Sequence, residues 1–468
     1  MLWTSAAGSW RPPEGSRLPV TTAPGTTAPD SPPRPRADRF AAFRSRPYVA
    51  YWVGALVSNI GTWLQSVAAS VFVYQLTGSI LAVGILNTVG YVPMILFSVL
   101  GGTIADRYDR RHIVVIASFL SFVAAMVLSV MTWASLADEV TVTIVFLLLN
   151  TLYALSKPAM VSLIPALVPR EHTAEAVGWN SFAFIIGQIV GPVLATIILT
   201  LAGPAFGFGL NGVTYLAVIV SMVYLYRRNL AGPDPARAGA RAKAAAKEGA
   251  IAYSKKHPWV WALLAAIVAC TIPFEVVRTL APAYVSEGLG EPETLAGVMM
   301  ASHSFGAALG LGILVPTLRR MGRVRFMAML GIATQAVGLL AGAFAPGIVL
   351  AAVASGVIGA GFSLSFPVLT GMLQEEVPDR VRGRILALHQ LFHLGNRPFA
   401  AFAFGALAAV PIIGAQHAYL GGVLLAPVGL IALRFAWRRL DSDPDREGAA
   451  PASTTAGDER EVEPVATI

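Results

Sequence analysis

The sequence predicts an all-α polytopic membrane protein with twelve transmembrane helices, arranged as two six-helix bundles related by a parallel repeat. Three observations lead there. Of 468 residues, 55% are hydrophobic and only 13% charged, with a mean hydropathy of +0.65. A soluble domain carries about a quarter charged residues, so this chain lacks the polar surface to cover itself and lipid must do so. Apolar windows long enough to cross a bilayer recur along the chain, and Lys and Arg fall in every second loop between them.

Crossing the hydrocarbon core takes about 20 apolar residues at a rise of about 1.5 Å each. Residues 1–43, rich in Pro, Thr, Ser, Gly and Ala, lack the continuous apolar run of a signal peptide and read as a disordered cytoplasmic tail. The first bundle, 44–228, holds windows at 48–76, 80–104, 112–135, 141–166, 174–201 and 205–226. A linker at 229–257 follows, Ala-rich and basic up to Lys255 and Lys256, and is expected to contain a short amphipathic helix on the anionic inner leaflet. The second bundle, 258–440, holds windows at 259–285, 294–317, 326–345, 347–373, 384–409 and 415–437, and a second disordered tail is expected at 441–468.

The formal charge is +8 and the pI 9.7, but the basic residues sit in short clusters: Arg44 and Arg46, Arg107 to Arg111, Arg170, Arg227 and Arg228, Arg319 to Arg325, Arg380 to Arg384, and Arg434 to Arg439. The intervening loops carry acids such as Asp138, Glu287 and Glu293. That pattern reads as topology with both termini cytoplasmic in a bacterial inner membrane, not as nucleic-acid binding. The single cysteine, Cys270, excludes an intrachain disulfide. No Gly-x-x-x-x-Gly-Lys-Ser/Thr loop is present, and no nucleophile, base and metal converge in the sequence. ATP hydrolysis and enzymatic chemistry are therefore not expected. No cofactor is expected either, and an ion gradient remains as the energy source.

The halves repeat at an offset near 210 residues. Arg46-Pro47-Tyr48-Val49 opens span 1 and His257-Pro258-Trp259-Val260 opens span 7; Pro158 precedes Val168-Pro169 by the interval at which Pro367 precedes Val377-Pro378. An even number of spans separates equivalent points, so the copies share one membrane orientation.

Between spans 2 and 3 the chain reads Gly101-Gly102-Thr103-Ile104-Ala105-Asp106-Arg107-Tyr108-Asp109-Arg110-Arg111. This loop resembles the signature of the major facilitator superfamily, in particular its bacterial exporter branch that includes the enterobactin exporter, although Asp109 stands where many members have glycine. Span 5 carries Gly187-Gln188-Ile189-Val190-Gly191-Pro192, similar to the glycine-proline motif of family antiporters. The resemblance implies a fold in which spans 1, 4, 7 and 10 line a cavity and spans 3, 6, 9 and 12 face lipid. It also implies alternating access, with Gly102, Asp106, Arg107, Arg110 and Arg111 as a conformational latch. An acid there can cap a helix N-terminus while the arginines meet carboxylates or lipid phosphates. Alternatively, the arginines are topological anchors and the span 5 glycines serve helix packing alone.

Ionisable groups inside a bilayer are costly and mark candidate sites. On span 1, Asn59, Thr62 and Ser66 form a polar stripe beside Gln65; on span 4, Asn150 and Lys157 share a face. Lys157 either binds an anionic group or snorkels to the interface. On span 7, Glu275 and Arg278 stand one turn apart, as a proton-coupling pair or a permanent ion pair. His303 on span 8 is a second coupling candidate. On span 11, His389, His393 and Arg397 recur at four-residue spacing; cavity lining or contact with span 10 accounts for them better than a metal, since no third ligand follows. The family resemblance implies proton-coupled export of a small organic molecule such as a drug, siderophore or secondary metabolite, by a protein expected to be monomeric. An importer or facilitator of the same fold is the alternative, and a non-transporting receptor or scaffold a more distant one.

Overall fold

The computed structural model describes residues 40–228, 230 and 250–442. The tail residues 1–39 and 443–468 and the linker residues 229 and 231–249 lie outside these. Residues 40–43, placed in the tail on composition, are packed: Ala41–Arg44 is a 3-10 helix, and the Ala42 N–H donates to Glu175 Oε1 at 3.2 Å. The reason is aromatic. The Phe43 ring sits 5.6 Å from Tyr48, 5.2 Å from Trp52 and 5.1 Å from Trp179, and such clusters outweigh a Pro-rich approach.

Helix α1 is Arg46–Thr77, begun by the Ser45 side chain accepting from the Tyr48 N–H and ended at Gly78 with φ 59°. Left-handed backbone of this kind suits glycine at a helix C-terminus. Ser79 caps α2 (Ile80–Arg107), Asp109 caps α3 (Arg110–Trp133) and Asp138 caps α4 (Glu139–Leu167). Thr141 hydrogen bonds hold the Asp138 carboxyl below its ordinary range. Helix α5 (Thr173–Arg227) contains spans 5 and 6 as one run, broken at Gly203 with φ 76° and ψ 177° just before Pro204.

In the second half α6 is Ala250–Lys256, the helix among the described linker residues, and α7 is Pro258–Ala283. Span 8 is α8 (Ala296–Leu309) joined through a π turn at Gly310–Leu314 to α9 (Val315–Arg320). Then come α10 (Val324–Ala343), α11 (Ile348–Glu376) and α12 (Asp379–Ala408). Span 12, continuous in the sequence pattern, is divided into α13 (Gly414–His417), α14 (Tyr419–Val423) and α15 (Leu425–Asp441). Asp441, counted with the tail from sequence, closes α15 and accepts two bonds from Arg325 at 2.6 and 2.8 Å.

Ten helical stretches among the described residues are long and apolar enough to cross a membrane. The stretch containing α5 counts once although Gly203 divides it, and α12, with 30 residues, is long enough but more polar. Exposed apolar side chains form stripes at helical spacing on α3 (Ile116, Phe119, Val123, Val127, Val130), on the second limb of α5 (Val213, Leu216, Val220, Val223) and on α15 (Val428, Ile431, Phe435). Apolar faces of this extent need lipid, and the chain is a multi-pass membrane protein.

We call the end carrying the α1–α2 turn the far end, and the end carrying the α2–α3 turn the near end. One buried apolar cluster at the far end draws on both halves, including Val71, Leu86, Val276, Tyr284, Met299 and Tyr419. At the near end each half has its own cluster: Tyr48, Tyr51, Leu163 and Met222 in the first, Trp259, Ile267, Leu373 and Leu440 in the second. The halves meet where α2 packs on α12, α5 on α8, and α7 on α1 and α2. Hydrogen bonds reinforce the far end: Tyr74 donates to Glu287 at 2.5 Å, Gln75 to Glu293 at 2.7 Å and Thr200 to Thr294 at 3.0 Å.

Candidate functional site

Between the halves lies a cavity of about 200 Å³. Its wall takes Asn59, Trp63 and Gln65 from α1, Tyr91 from α2, Asn150 and Tyr153 from α4, Phe184 and Asn211 from α5, Arg278 from α7 and Arg397 from α12. The wall holds two arginines and no carboxylate. A smaller adjoining pocket is lined by Asn59, Tyr153, Lys157 and Asn180 among others. The Lys157 ammonium stands 5.3 Å from the Tyr153 ring and 5.7 Å from that of Phe184, so aromatic faces hold it beside the cavity.

Glu275 is fully buried behind this wall. It accepts the Tyr91 hydroxyl at 2.7 Å and pairs with Arg278 at 3.4 Å and Arg397 at 3.3 Å. Arg278 also donates to Ser66 Oγ at 3.0 Å, and Arg397 to the Tyr91 oxygen at 3.3 Å. One carboxylate thus gathers guanidinium groups from two helices of the second half, and the group is bonded to α1 and α2 of the first. Both guanidiniums lie over the Tyr91 ring, at 5.0 and 5.6 Å. The Nε atoms of Arg278 and Arg397 are buried without a hydrogen-bond partner.

Of the residues singled out in the sequence, Asn59, Gln65, Asn150, Arg278 and Arg397 line one cavity and Lys157 lines its neighbour, while Glu275 lies buried against the two arginines. The histidines lie elsewhere. His303 is buried against Phe274, ring centroids 4.8 Å apart. His389 and His393 stack on each other and on Phe366 of α11, and His389 Nε2 meets Thr370 at 3.2 Å, so these two follow the span 10 contact and not the cavity. Tyr91 and Asn211 escaped the sequence reading. Asn211, whose side-chain N–H donates to Gln65 Oε1, is the polar residue between Leu210 and Gly212 in an apolar span, a signal a search for ionisable groups passes over.

The α2–α3 turn corrects one assignment. Asp106 lies exposed in the last turn of α2 and caps nothing; the capping acid is Asp109, which accepts from the Arg111 N–H at 2.9 Å and pairs with the Arg111 guanidinium at 2.6 Å. The residue that departs from the family pattern has taken the N-cap position. Burial works against the Asp109 charge, but the Arg111 bonds outweigh it and hold the carboxyl below its usual range. Arg111 further donates to Leu230 O at 3.0 Å and lies 5.0 Å over Tyr226, clamping the end of α5 onto α3. Arg110 reaches Ser162 O at 3.3 Å; Arg107 is exposed; a Cβ at Gly102 would meet open space.

The span 5 glycines serve close packing. A Cβ on Gly187 would lie 2.8 Å from Asn59 Cβ, and one on Gly191 would lie 2.7 Å from Ile60 O and Trp63 Cβ, so α1 and α5 approach to backbone contact. Pro192 sits at the junction of the halves: a Cβ on Gly297 of α8 would overlap its carbonyl oxygen.

Residues 37–458 match the family model described as transmembrane secretion effector, one of the major facilitator families. The chain is 25% identical over 379 residues to the multidrug efflux pump Tap of Mycolicibacterium fortuitum, covering 79% of this chain and 90% of that one. It is 25% identical over 394 residues to the enterobactin exporter of Salmonella typhimurium, covering 82% and 91%. With the staphyloferrin A transporter of Staphylococcus aureus it shares 28% identity over 178 residues, 38% of this chain and 45% of that protein. Among solved structures, a bacterial homologue of the human lysosomal transporter Spinster, inward-facing and occupied, superposes with TM-score 0.65 at 14% identity, covering 85% of this chain and 97% of that one. A D-xylose–proton symporter gives 0.63 at 18% identity, covering 85% and 98%.

Proposed function

Because the chain belongs to the transmembrane secretion effector family of major facilitator transporters, we propose that it exports small organic molecules from the cytoplasm in exchange for protons, by alternating access. It is a transporter and not an enzyme. The observation that carries the proposal is the asymmetry of the core: the halves share one apolar cluster at the far end and keep separate clusters at the near end, with a polar cavity between. With the basic loops of the near end cytoplasmic, as their charge requires, this is the state in which the cavity loads from inside. Export follows when the halves rock, the near-end clusters closing and the far-end seal opening.

Proton coupling runs through Glu275. A proton on this carboxylate would remove the acceptor that Tyr91, Arg278 and Arg397 share, untying one bond between the halves. That the related proteins are named as a multidrug pump and a siderophore exporter supports the direction and the breadth of substrate. The test is efflux of a panel of dyes, antibiotics and siderophores from cells producing the protein, with and without an uncoupler. Uncoupler-sensitive efflux that is lost in Glu275→Gln is the expected result. Accumulation that falls on uncoupling would mean import, and no flux from correctly inserted protein would favour a receptor or scaffold.

A further inference from the structure

The charges around the cavity do not balance. Arg278 and Arg397 contribute two positive charges and Glu275 one negative, each arginine lying within 3.4 Å of the shared carboxylate. Arg278 is 6% exposed and Glu275 fully buried. Lys157 adds a further positive charge in the adjoining pocket, where again no acid lines the wall. An unpaired charge inside a membrane protein is costly, and such charges are kept where something binds them.

The geometry shows where the missing partner belongs. Both arginines line the cavity, whereas Glu275 approaches them from behind it. A planar guanidinium matches a carboxylate, sulfonate or phosphonate oxygen pair, and each arginine also keeps a buried Nε–H without an acceptor in this state. The surrounding wall supplies aromatic faces (Trp63, Phe184) and neutral amides (Asn59, Asn150), which accept an apolar or aromatic body and its polar substituents, while the two arginines and the absence of a carboxylate in the wall disfavour a cation.

We infer that the transported molecule is an organic anion, and that its negative group docks between Arg278 and Arg397 on the cavity side, opposite Glu275. This rests on the transport reading above. Binding also has a consequence for the cycle. An anion that draws the two guanidiniums into the cavity competes with the bonds from Arg278 to Ser66 and from Arg397 to Tyr91, both of which join the halves. The loaded cavity therefore loosens the tie between bundles that the empty one keeps.

The experiment uses everted membrane vesicles containing the full chain and a panel of matched pairs, each an aromatic carboxylic acid and its uncharged primary amide, with cationic dyes alongside. The acids are expected to be taken up and their amides not. Arg397→Gln and Arg278→Gln should each raise the KM for the acids about ten- to a hundred-fold, the loss of one charge-assisted hydrogen bond, while Arg397→Lys, which keeps the charge, recovers part of it. Gel filtration of each variant shows whether it folds. Amides carried as well as acids, dyes carried while no acid is, or KM values for acids unmoved in both glutamine variants would overturn the inference while leaving a transporter in place. Absence of flux for every compound, from correctly folded wild type, would overturn the transport reading and this inference with it.

Discussion

Replacing Glu275 with Gln tests whether the buried cluster has the charge excess assigned to it. The carboxylate holds guanidiniums at 3.3 and 3.4 Å; at an effective dielectric of about 20, each such pair is worth about 5 kcal/mol of Coulomb attraction. Desolvation offsets much of that, and removing the shared acid from a buried set costs about 3–5 kcal/mol because it leaves like charges facing one another. Removing Arg278 has a different result. The pair with Glu275 at 3.4 Å is lost, but a buried charge goes with it and Glu275 and Arg397 remain as a balanced pair; with desolvation offsetting the lost attraction, the net cost is set by the bond to Ser66 at 3.0 Å, about 1–2 kcal/mol. The assay is thermal unfolding of the purified protein at one scan rate and one pH near neutrality. Glu275→Gln should lower Tm by at least about twice as much as Arg278→Gln. A drop for Arg278→Gln equal to or larger than that for Glu275→Gln would mean that the cluster carries no excess positive charge.

Three other perturbations follow from the packing. Asp109→Asn keeps an N-cap side chain but loses the ion pair with Arg111 and should cost about 1–3 kcal/mol at pH 7. Since folding lowers the Asp109 pKa, its contribution is present above the unfolded carboxylate range and lost as pH falls through the folded value, so wild-type and variant Tm values should converge in acid. Gly191→Leu should separate α1 from α5 and lower Tm, because its Cβ alone meets Ile60 O and Trp63 Cβ at 2.7 Å, whereas Gly178→Ala, with open space around it, should leave Tm unchanged. Tyr74→Phe removes the bond to Glu287 at the far-end seal; in a Cys270→Ala background it should raise the rate at which Val71→Cys, fully buried in the shared cluster, reacts with a membrane-impermeant thiol reagent, several-fold by rate comparison.

Much of this architecture is legible in the sequence because the bilayer simplifies it. Helices must span a fixed thickness, so windows such as 80–104 and 141–166 locate α2 and α4 to within a few residues. What escaped was local backbone geometry: the break at Gly203, the π turn at Gly310–Leu314 and the division of span 12 at Ala418 and Leu424. Hydropathy averages over such points. At the cavity, the cost of burying charge singled out Glu275, Arg278 and Arg397, but the same criterion singled out His303, His389 and His393, which face other helices. A helix that is apolar nearly all round gives no periodicity from which to read its inner face. Tyr91 was hidden for the opposite reason: a tyrosine within a span is ordinary until its hydroxyl is found on a buried carboxylate.

Proton exchange through the central cavity is measurable in reconstituted proteoliposomes with a pH dye trapped inside. With a transported acid identified from the panel, imposing a pH gradient should drive it uphill, and adding it without a gradient should move protons in the opposite direction; both effects should vanish in Glu275→Gln. Substrate flux that ignores the pH gradient, or proton movement unchanged in Glu275→Gln, would mean that transport is not coupled to protons through Glu275.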